Sequence, residues 1–511
     1  MLEHTALEFA PEMRQRWAWS ADDIRRVGHL VVDLIAHHLT SLPARPVFRP
    51  FPPELAARFL SAVVPLTGQE AEEILAEFAR DVEPYPFGNG HPRFYGWVNS
   101  PPAVIGVFAE ALAAAMNPSV AGGNHAATYV EHQVLNWFRN LPGFPAASMG
   151  LLLSGGSLAT LTSLAVARHV QLRAKLGTDV RASGLQGMER RLLVYTSPEG
   201  HSCIRKAVEL LGLGSDNLRI VSVDAERRLQ VQALEAALRQ DREAGHVPIA
   251  MAASAGTVNS GAIDPLAALR DLCDRYGLWL HVDGAYGAPA ILSTQYKQEI
   301  APIARADSVA LDPHKWLYIP VEAGLVLIRD GQAMRDTFSL VPPYLRNDGQ
   351  TDEIFGLPWF SEYGFQQTRS FRALKVWMSL KYHGLSGYAE AITRDIALAE
   401  HLARLVDASV DLERLATGLS IVCFRYAPPH LRGDAARLDV LNKTLLETLQ
   451  RRGQAFLSST TLDGTFVLRA CIINPRTQPE DLECLVTLVR DLGAHLAEGG
   501  VESHGYETHG V

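Results

Sequence analysis

Four short segments place reactive or ligand-gripping side chains directly after apolar runs. The first reads Leu153-Ser154-Gly155-Gly156-Ser157 and leads into a helical stretch. Glycines at a strand-to-helix turn let backbone N–H groups approach an anion, and a helix N-terminus favours negative charge. Ser157 either adds a hydroxyl donor or simply caps the helix. No Gly-Lys-Ser/Thr follows, so this is not a Walker loop. The second segment, Pro198-Glu199-Gly200-His201-Ser202, carries a histidine. Such an imidazole is either functional or a plain hydrogen-bonding group. The third, Leu280-His281-Val282-Asp283-Gly284-Ala285-Tyr286, closes an apolar run with an acid followed by small residues. A carboxylate there is costly unless it meets a cation or several donors, or caps the next turn. Gly284 and Ala285 leave room for something flat. The fourth, Leu311-Asp312-Pro313-His314-Lys315-Trp316, sets a lysine just beyond another apolar run. Burial lowers a lysine pKa, and a neutral amine attacks carbonyls. The alternative is a lysine that snorkels to solvent.

The combination says more than any member. An anion turn, a small neighbour for a flat ring, a buried acid and a buried lysine are the parts needed to hold pyridoxal 5'-phosphate. The lysine would form the Schiff base, the acid would keep the ring nitrogen protonated, and the glycine turn would take the phosphate.

These segments need a scaffold that gathers strand ends. Short apolar runs occur at 150–153, 192–195, 218–223, 249–253, 278–282, 308–311 and 324–328, with helical stretches such as 158–176 and 231–239 between them. That pattern predicts an α/β fold with a mostly parallel central sheet and helices on both faces. Such sheets take their ligand at the C-terminal strand ends, where the four segments lie. Ahead of this region, 21–39 has apolar residues at helical spacing (Ile24, Val27, Val31, Leu34, Ile35, Leu39), 70–80 reads as another helix, and 83–102 reads as loop. Beyond 387 the text reads as helix 388–406, strand 419–426, helix 435–451 and strand 465–473, an α+β arrangement. The expected organisation is therefore 1–95 as an N-terminal helical arm and dimerisation segment and 96–387 as a large cofactor-binding domain. A small α+β domain at 388–498 and a disordered tail at 499–511 complete it.

Composition bounds the rest. The chain has 511 residues, 47% hydrophobic and 20% charged, with a net charge of −9. That balance suits a large globular core and, without a basic stripe, argues against nucleic acid as a partner. Five widely spaced cysteines with no C-x-x-C pair argue against a disulfide framework and a structural metal site. The N-terminal text lacks the basic-then-apolar pattern of a secretory leader, and the most apolar stretch, 103–116, contains Glu110 and is too short to span a bilayer. The expectation is a cytoplasmic protein without a membrane or metal partner.

With these segments in hand, the sequence resembles the pyridoxal-phosphate-dependent group II amino acid decarboxylases, and looks closest to the aromatic-L-amino-acid branch. The resemblance runs from His91-Pro92-Arg93-Phe94 to about Asn474-Pro475, and its most specific parts are His281-Val282-Asp283-Gly284-Ala285-Tyr286 and Pro313-His314-Lys315-Trp316-Leu317. It implies fold type I, as in aspartate aminotransferase, and a homodimer with the active site at the interface and a swapped N-terminal arm. Lys315 matches the Schiff-base lysine, Asp283 the acid paired with the pyridinium nitrogen, and Ala285 the residue against the ring. His201 matches the histidine stacked on the cofactor, and Thr257 the threonine near it. Gly155, Gly156 and Ser157 match the phosphate turn, and Asp312 and His314 belong to the same end. Tyr344, in Pro343-Tyr344-Leu345, matches the loop tyrosine that protonates the substrate carbon. Arg369 and Arg372 match a recurrent arginine segment to which the resemblance gives no clear role.

Two departures stand out. The aromatic branch often has Asn where Asp312 stands, and a second anion beside a phosphate would repel it. Asp312 therefore either points away, as into a salt bridge, or the phosphate relies more on backbone donors. The segment Trp97-Val98-Asn99-Ser100-Pro101 also differs from the aromatic-branch lining. Trp97, Ser100, His201 and Tyr344 are the expected substrate-facing residues. The implied reaction is decarboxylation of an L-amino acid, with an aromatic one favoured, to the amine and CO2. The alternatives are an aldehyde synthase on the same scaffold and a decarboxylase of an acidic or other non-aromatic amino acid.

Overall fold

A computed structural model describes residues 17–340 and 356–499. The chain divides into two compact units, Met1–Phe94 with Glu447–Phe456, and Tyr95–Leu446 with Leu457–Val511.

The first unit carries helices α1 (Ala21–Ser41), α2 (Pro53–Ser61) and α3 (Ala71–Asp81). Ser20 starts α1 with a reciprocal capping box to Asp23. A small apolar cluster joins Val47, Phe94 and Phe456, with Phe48 packed against it. The apolar stripe expected on α1 is there, but only Val27 is buried on that helix. Ile24 and Val31, with Phe59 and Leu60 of α2 and Ile74 and Phe78 of α3, face solvent in the single chain.

The second unit begins with α4 (Val104–Met116) and α5 (Ala126–Asn140). Its large sheet, among the described residues, is built from β1 (Met149–Leu153), β2 (Leu192–Thr196), β3 (Leu218–Ile220), β4 (Val247–Ser254), β5 (Trp279–Asp283), β6 (Ser308–Leu311) and β7 (Gly324–Ile328). The order is β1-β7-β6-β5-β4-β2-β3. β3, β2, β4, β5 and β6 run parallel, while β7 is antiparallel to both β6 and β1. The sheet is thus mostly parallel, as the apolar runs predict. The reversal of β7 is invisible in them, because a strand buried on both faces reads the same in either direction. Every residue of β4, β5, β6 and β7 is buried.

Helix α6 (Gly156–Leu176) lies across β4, β5, β6 and β7 and is buried around much of its circumference. Helices α7 (Cys203–Leu210), α8 (Val231–Glu243) and α9 (Leu266–Tyr276) link later strands. The helix expected at 388–406 is longer: α10 runs Ala373–Asp407, with a break at Gly384 (φ 65°, ψ 167°). That backbone lies in a region only glycine enters without strain, so two helical rods meet there. A second, antiparallel sheet contains β8 (Leu412–Gly418), β9 (Ile421–Tyr426), β10 (Phe456–Leu462) and β11 (Thr465–Cys471), in the order β10-β11-β9-β8. Helices α11 (Ala435–Arg451) and α12 (Pro479–Ala497) complete the chain.

Candidate active site

Parallel pairing aligns the strand ends. Ser254 of β4 is opposite Asp283 of β5, and Asp283 is opposite Ala310 of β6. The segments that follow therefore converge on one side of the sheet. They line a cavity of about 470 Å³ whose wall includes Gly155, Gly156, Ser157, His201, Thr257, Asp283, Ala285, Asp312, His314 and Lys315. Residues more than 150 positions apart in sequence meet there because each leaves the sheet at the same edge.

Asp283 is buried and its Oδ1 accepts the N–H of Ala285 at 3.1 Å. Lys315 is half-buried, and its Nζ lies 3.0 Å from Asp312 Oδ2. Burial alone would lower the Lys315 pKa. Asp312 first, then Asp283, more than offset that loss, and the net shift is upward. This corrects the expectation of a pKa lowered by burial: two carboxylates act on Lys315, and their field favours its protonated form. Asp312 makes a salt bridge to Lys315, but it does not point away: the same Oδ2 adjoins the Gly156 turn.

At the other end, Gly155 has φ +110° and caps α6. A Cβ on Gly156 would lie 2.8 Å from Asp312 Oδ2 and 3.1 Å from the Ala285 Cβ. Only glycine leaves this floor open. His314 lies beside Gly155, its Nδ1 is 2.7 Å from the Ala323 carbonyl oxygen and 3.3 Å from the Ala323 N, and its Nε2 is 3.9 Å from Asp312 Oδ2. The His201 Nδ1 accepts the Cys203 N–H at 3.2 Å, which leaves the proton of the neutral ring on Nε2. The cavity walls desolvate His201 and lower its pKa, and Asp283 opposes that shift. Neighbouring Cys203 is buried, its thiol pushed up to about 12 by desolvation, so it stays protonated. The Thr257 hydroxyl is held in its own turn, 3.0 Å from Ser260 Oγ and accepting the Ala262 N–H at 3.1 Å. Trp97 lines the cavity with Val98 and Asn99. Ser100 stands apart from that wall, and its hydroxyl donates to the His314 carbonyl at 3.2 Å. Tyr344 lies outside the described residues.

Several supporting residues escaped the sequence reading. Asp395 of α10 is fully buried, and its Oδ2 accepts from Trp316 Nε1 at 2.9 Å and Tyr318 Oη at 2.6 Å. It grips the residues one and three positions after Lys315. Trp316 also stacks on Tyr286, whose hydroxyl lies 2.6 Å from Ser420 Oγ in the β8–β9 turn. Arg469 of β11 donates to the carbonyls of Trp97 at 2.8 Å and Asn259 at 3.2 Å, tying two wall segments together. In the sequence each is a lone polar residue in an apolar element, a signal without a partner.

The two arginines also gain contacts. Arg369 forms a fully buried ion pair with Glu131. Glu131 accepts the Leu152 N–H at 3.1 Å, and Arg369 donates to the Leu152 carbonyl at 2.8 Å. β1 is an edge strand, so this pair satisfies backbone groups that have no neighbouring strand, one residue before the glycine turn begins its approach. Arg372 makes two bonds to Glu322 Oε1, at 3.0 and 2.8 Å, and Glu322 lines the cavity.

The donor set suits a small ring with an aldehyde at one side, a basic nitrogen at the other and an anionic arm. An amine and a carboxylate share the cavity, and its glycine floor would be closed by a single Cβ. A family model described as the pyridoxal-dependent decarboxylase conserved domain matches residues 53–427. The chain belongs to the pyridoxal-dependent decarboxylase family. It is a pyridoxal-phosphate-dependent enzyme of fold type I. Among curated relatives of this decarboxylase, the aromatic-L-amino-acid decarboxylase of Bacillus atrophaeus is 36% identical over 488 residues, covering 95% of this chain and 98% of that protein. The phenylacetaldehyde synthase of Arabidopsis thaliana is 28% identical, covering 93% and 97%. The crystal structure of Oryza sativa TDC with PLP and tryptamine superposes with a TM-score of 0.86 at 26% identity, covering 96% of this chain and 100% of that one.

Two predictions follow from the bracing residues. Removing one partner of the buried pair, as in Arg369→Met, should cost about 3–5 kcal/mol in unfolding free energy, measured by urea denaturation. Burial raises the Asp395 pKa from 3.8 to about 7. The folded chain therefore keeps a proton that the unfolded chain releases. The stability this contributes is full below the unfolded pKa and is lost as pH rises through about 7. Asp395→Asn keeps an acceptor for both donors, and its stability should not fall with the wild type between these pH values. Parallel urea titrations of the two proteins that stay parallel in stability would refute this.

Proposed function

We propose that the enzyme removes CO2 from an L-amino acid, with an aromatic one favoured, and releases the amine. The observation that carries this is one cavity in which Lys315 faces Asp283 beside an open glycine turn. The similarity to the aromatic-L-amino-acid decarboxylase of Bacillus atrophaeus supports the substrate class.

Lys315, Asp283, Ala285, His201 and Thr257 would hold the cofactor ring, and Gly155, Gly156, Ser157, Asp312 and His314 its phosphate end. When bound, pyridoxal phosphate supplies an aldehyde for an amine to capture and a protonated ring that takes up the electron pair left as CO2 departs. Asp283 would keep the ring nitrogen protonated, because a carboxylate in a dry site stabilises a facing N–H cation. His201 would present a flat ring to the cofactor and, through Nε2–H, a donor for the substrate carboxylate. Trp97 would shape the substrate end, and Ser100 would act on it only through the His314 carbonyl it holds. Tyr344 gives its phenolic proton to the substrate α-carbon after CO2 has left. Asp395 and Tyr286 keep the Lys315 segment in place throughout.

In this reading the enzyme is a homodimer with the active site at its interface, residues 1–95 forming the exchanged arm, 96–387 the large domain and 388–498 the small one. The apolar residues left in solvent on α1, α2 and α3 support this, as does a stripe on α4 of Val104, Phe108, Leu112 and Met116 at four-residue spacing. Five free cysteines support a reducing, cytoplasmic setting.

The second reading, an aldehyde synthase, has the similarity to the Arabidopsis thaliana enzyme in its favour. It differs in consuming O2 and water and releasing aldehyde, ammonia and H2O2 with the CO2. Holoenzyme is therefore offered a panel of L-amino acids, with amine, CO2 and H2O2 all measured. Amine and CO2 in equal amounts are expected, whereas H2O2 matching CO2 would establish the synthase instead.

Lys315→Ala should lose turnover and the visible absorbance of the bound cofactor. Retention of both would overturn the assignment of Lys315. Tyr344→Phe should divert product toward aldehyde and H2O2, and an unchanged amine yield would remove Tyr344 from the mechanism.

A further inference from the structure

Asp312 stands between the two ends of the site. Its Oδ2 is 3.0 Å from Lys315 Nζ, and its side chain is 3% exposed. Its Oδ1 is buried without a hydrogen-bond partner. The same Oδ2 would be 2.8 Å from a Cβ on Gly156, so this carboxylate adjoins both the lysine and the glycine turn. The charged and titratable groups around the pair are Asp283 from the end of β5, Glu199, His201 and Cys203 from the segment after β2, His314 from the loop itself, and Glu322, which is bound by Arg372.

A carboxylate in hydrogen-bond contact favours the ammonium over the neutral amine. Bonding to an aldehyde carbon needs the Nζ lone pair, so the ammonium must first give up a proton, and the aldehyde oxygen leaves as water. Whenever Nζ carries no charge, Asp312 is left as a buried carboxylate with one oxygen unpartnered. That state is costly. A neutral side chain of the same shape, such as Asn, removes the cost. Asp312 therefore favours the protonated form of Nζ and works against the neutral amine that attacks the aldehyde.

We propose that Asp312 is a positioning residue that sets the proton occupancy of Lys315 Nζ, and through it the pH range over which this enzyme holds its cofactor. The proposal rests on Lys315 being the cofactor lysine.

The test follows the visible absorbance of holoenzyme across roughly pH 5 to 10, in wild type and Asp312→Asn. The Asn variant should titrate about one unit lower, a tenfold change in proton affinity. The full chain is then freed of cofactor and reloaded with pyridoxal or with pyridoxal phosphate at each pH. If Asp312 acts through Lys315, the capture profile shifts in Asp312→Asn with both aldehydes. A shift confined to pyridoxal phosphate means that Asp312 acts only on the phosphate, and overturns the proposal. So does an unchanged midpoint in the spectral titration.

Should Asp312→Asn fail to fold, wild type alone decides. Amine-directed labelling of Lys315 in the cofactor-free chain, read by peptide mass against pH, should have its midpoint at or above that of exposed lysines, and a lower midpoint refutes the idea. Absorbance that survives in Lys315→Ala would instead strike the assignment of Lys315 itself, so the two failures are distinct.

Discussion

An ammonium and two carboxylates share one small cavity, and the rest of the molecule can be understood as what makes that arrangement tolerable. Lys315 has Asp312 within salt-bridge distance and Asp283 close enough to raise its pKa. Burying these groups singly would cost several kcal/mol each. Burying them together lets each offset part of the desolvation of the others. The register of three adjacent parallel strands makes this possible, because it delivers Asp283 and the Lys315 segment to the same edge of the sheet.

Holding that edge still falls to polar contacts between elements distant in sequence. Asp395 fastens Trp316 and Tyr318, the Tyr286–Ser420 contact seats the β8–β9 turn beside the cofactor strand, and Glu131 with Arg369 completes the backbone bonding of edge strand β1. Each is buried, so each is costly if left half-made and specific when complete. They pre-position the lysine and the glycine turn, the economical way to support chemistry at a cofactor. The aromatic-branch resemblance and the comparison proteins agree on family and cofactor.

Much of this was legible from residue order. Apolar runs with helices between them announce the sheet, since strands buried on both faces have no polar face to show. Asp283 and Lys315 stand out because an acid and an amine at the close of such runs have few innocuous explanations. The reversal of β7 was not legible, nor were the extension of α10 through Gly384 and the exposure of the α1 stripe, because direction, breaks and partner surfaces leave no mark in local pattern. Arg369 could be noticed in a motif, but its work on edge strand β1 depends on a glutamate 238 positions away.

Residue order alone suffices for the fold class and for which residues close each strand, because apolar period marks where strands end; the cofactor came from the types of those residues taken together and from the family resemblance. Tertiary structure decided the charge on the lysine. Read locally, Lys315 is a buried amine and should be neutral. In the folded chain it meets Asp312 and Asp283, and their combined field outweighs desolvation. Ionisation of a buried group depends on which charges surround it in space, and that is a property of the assembled site.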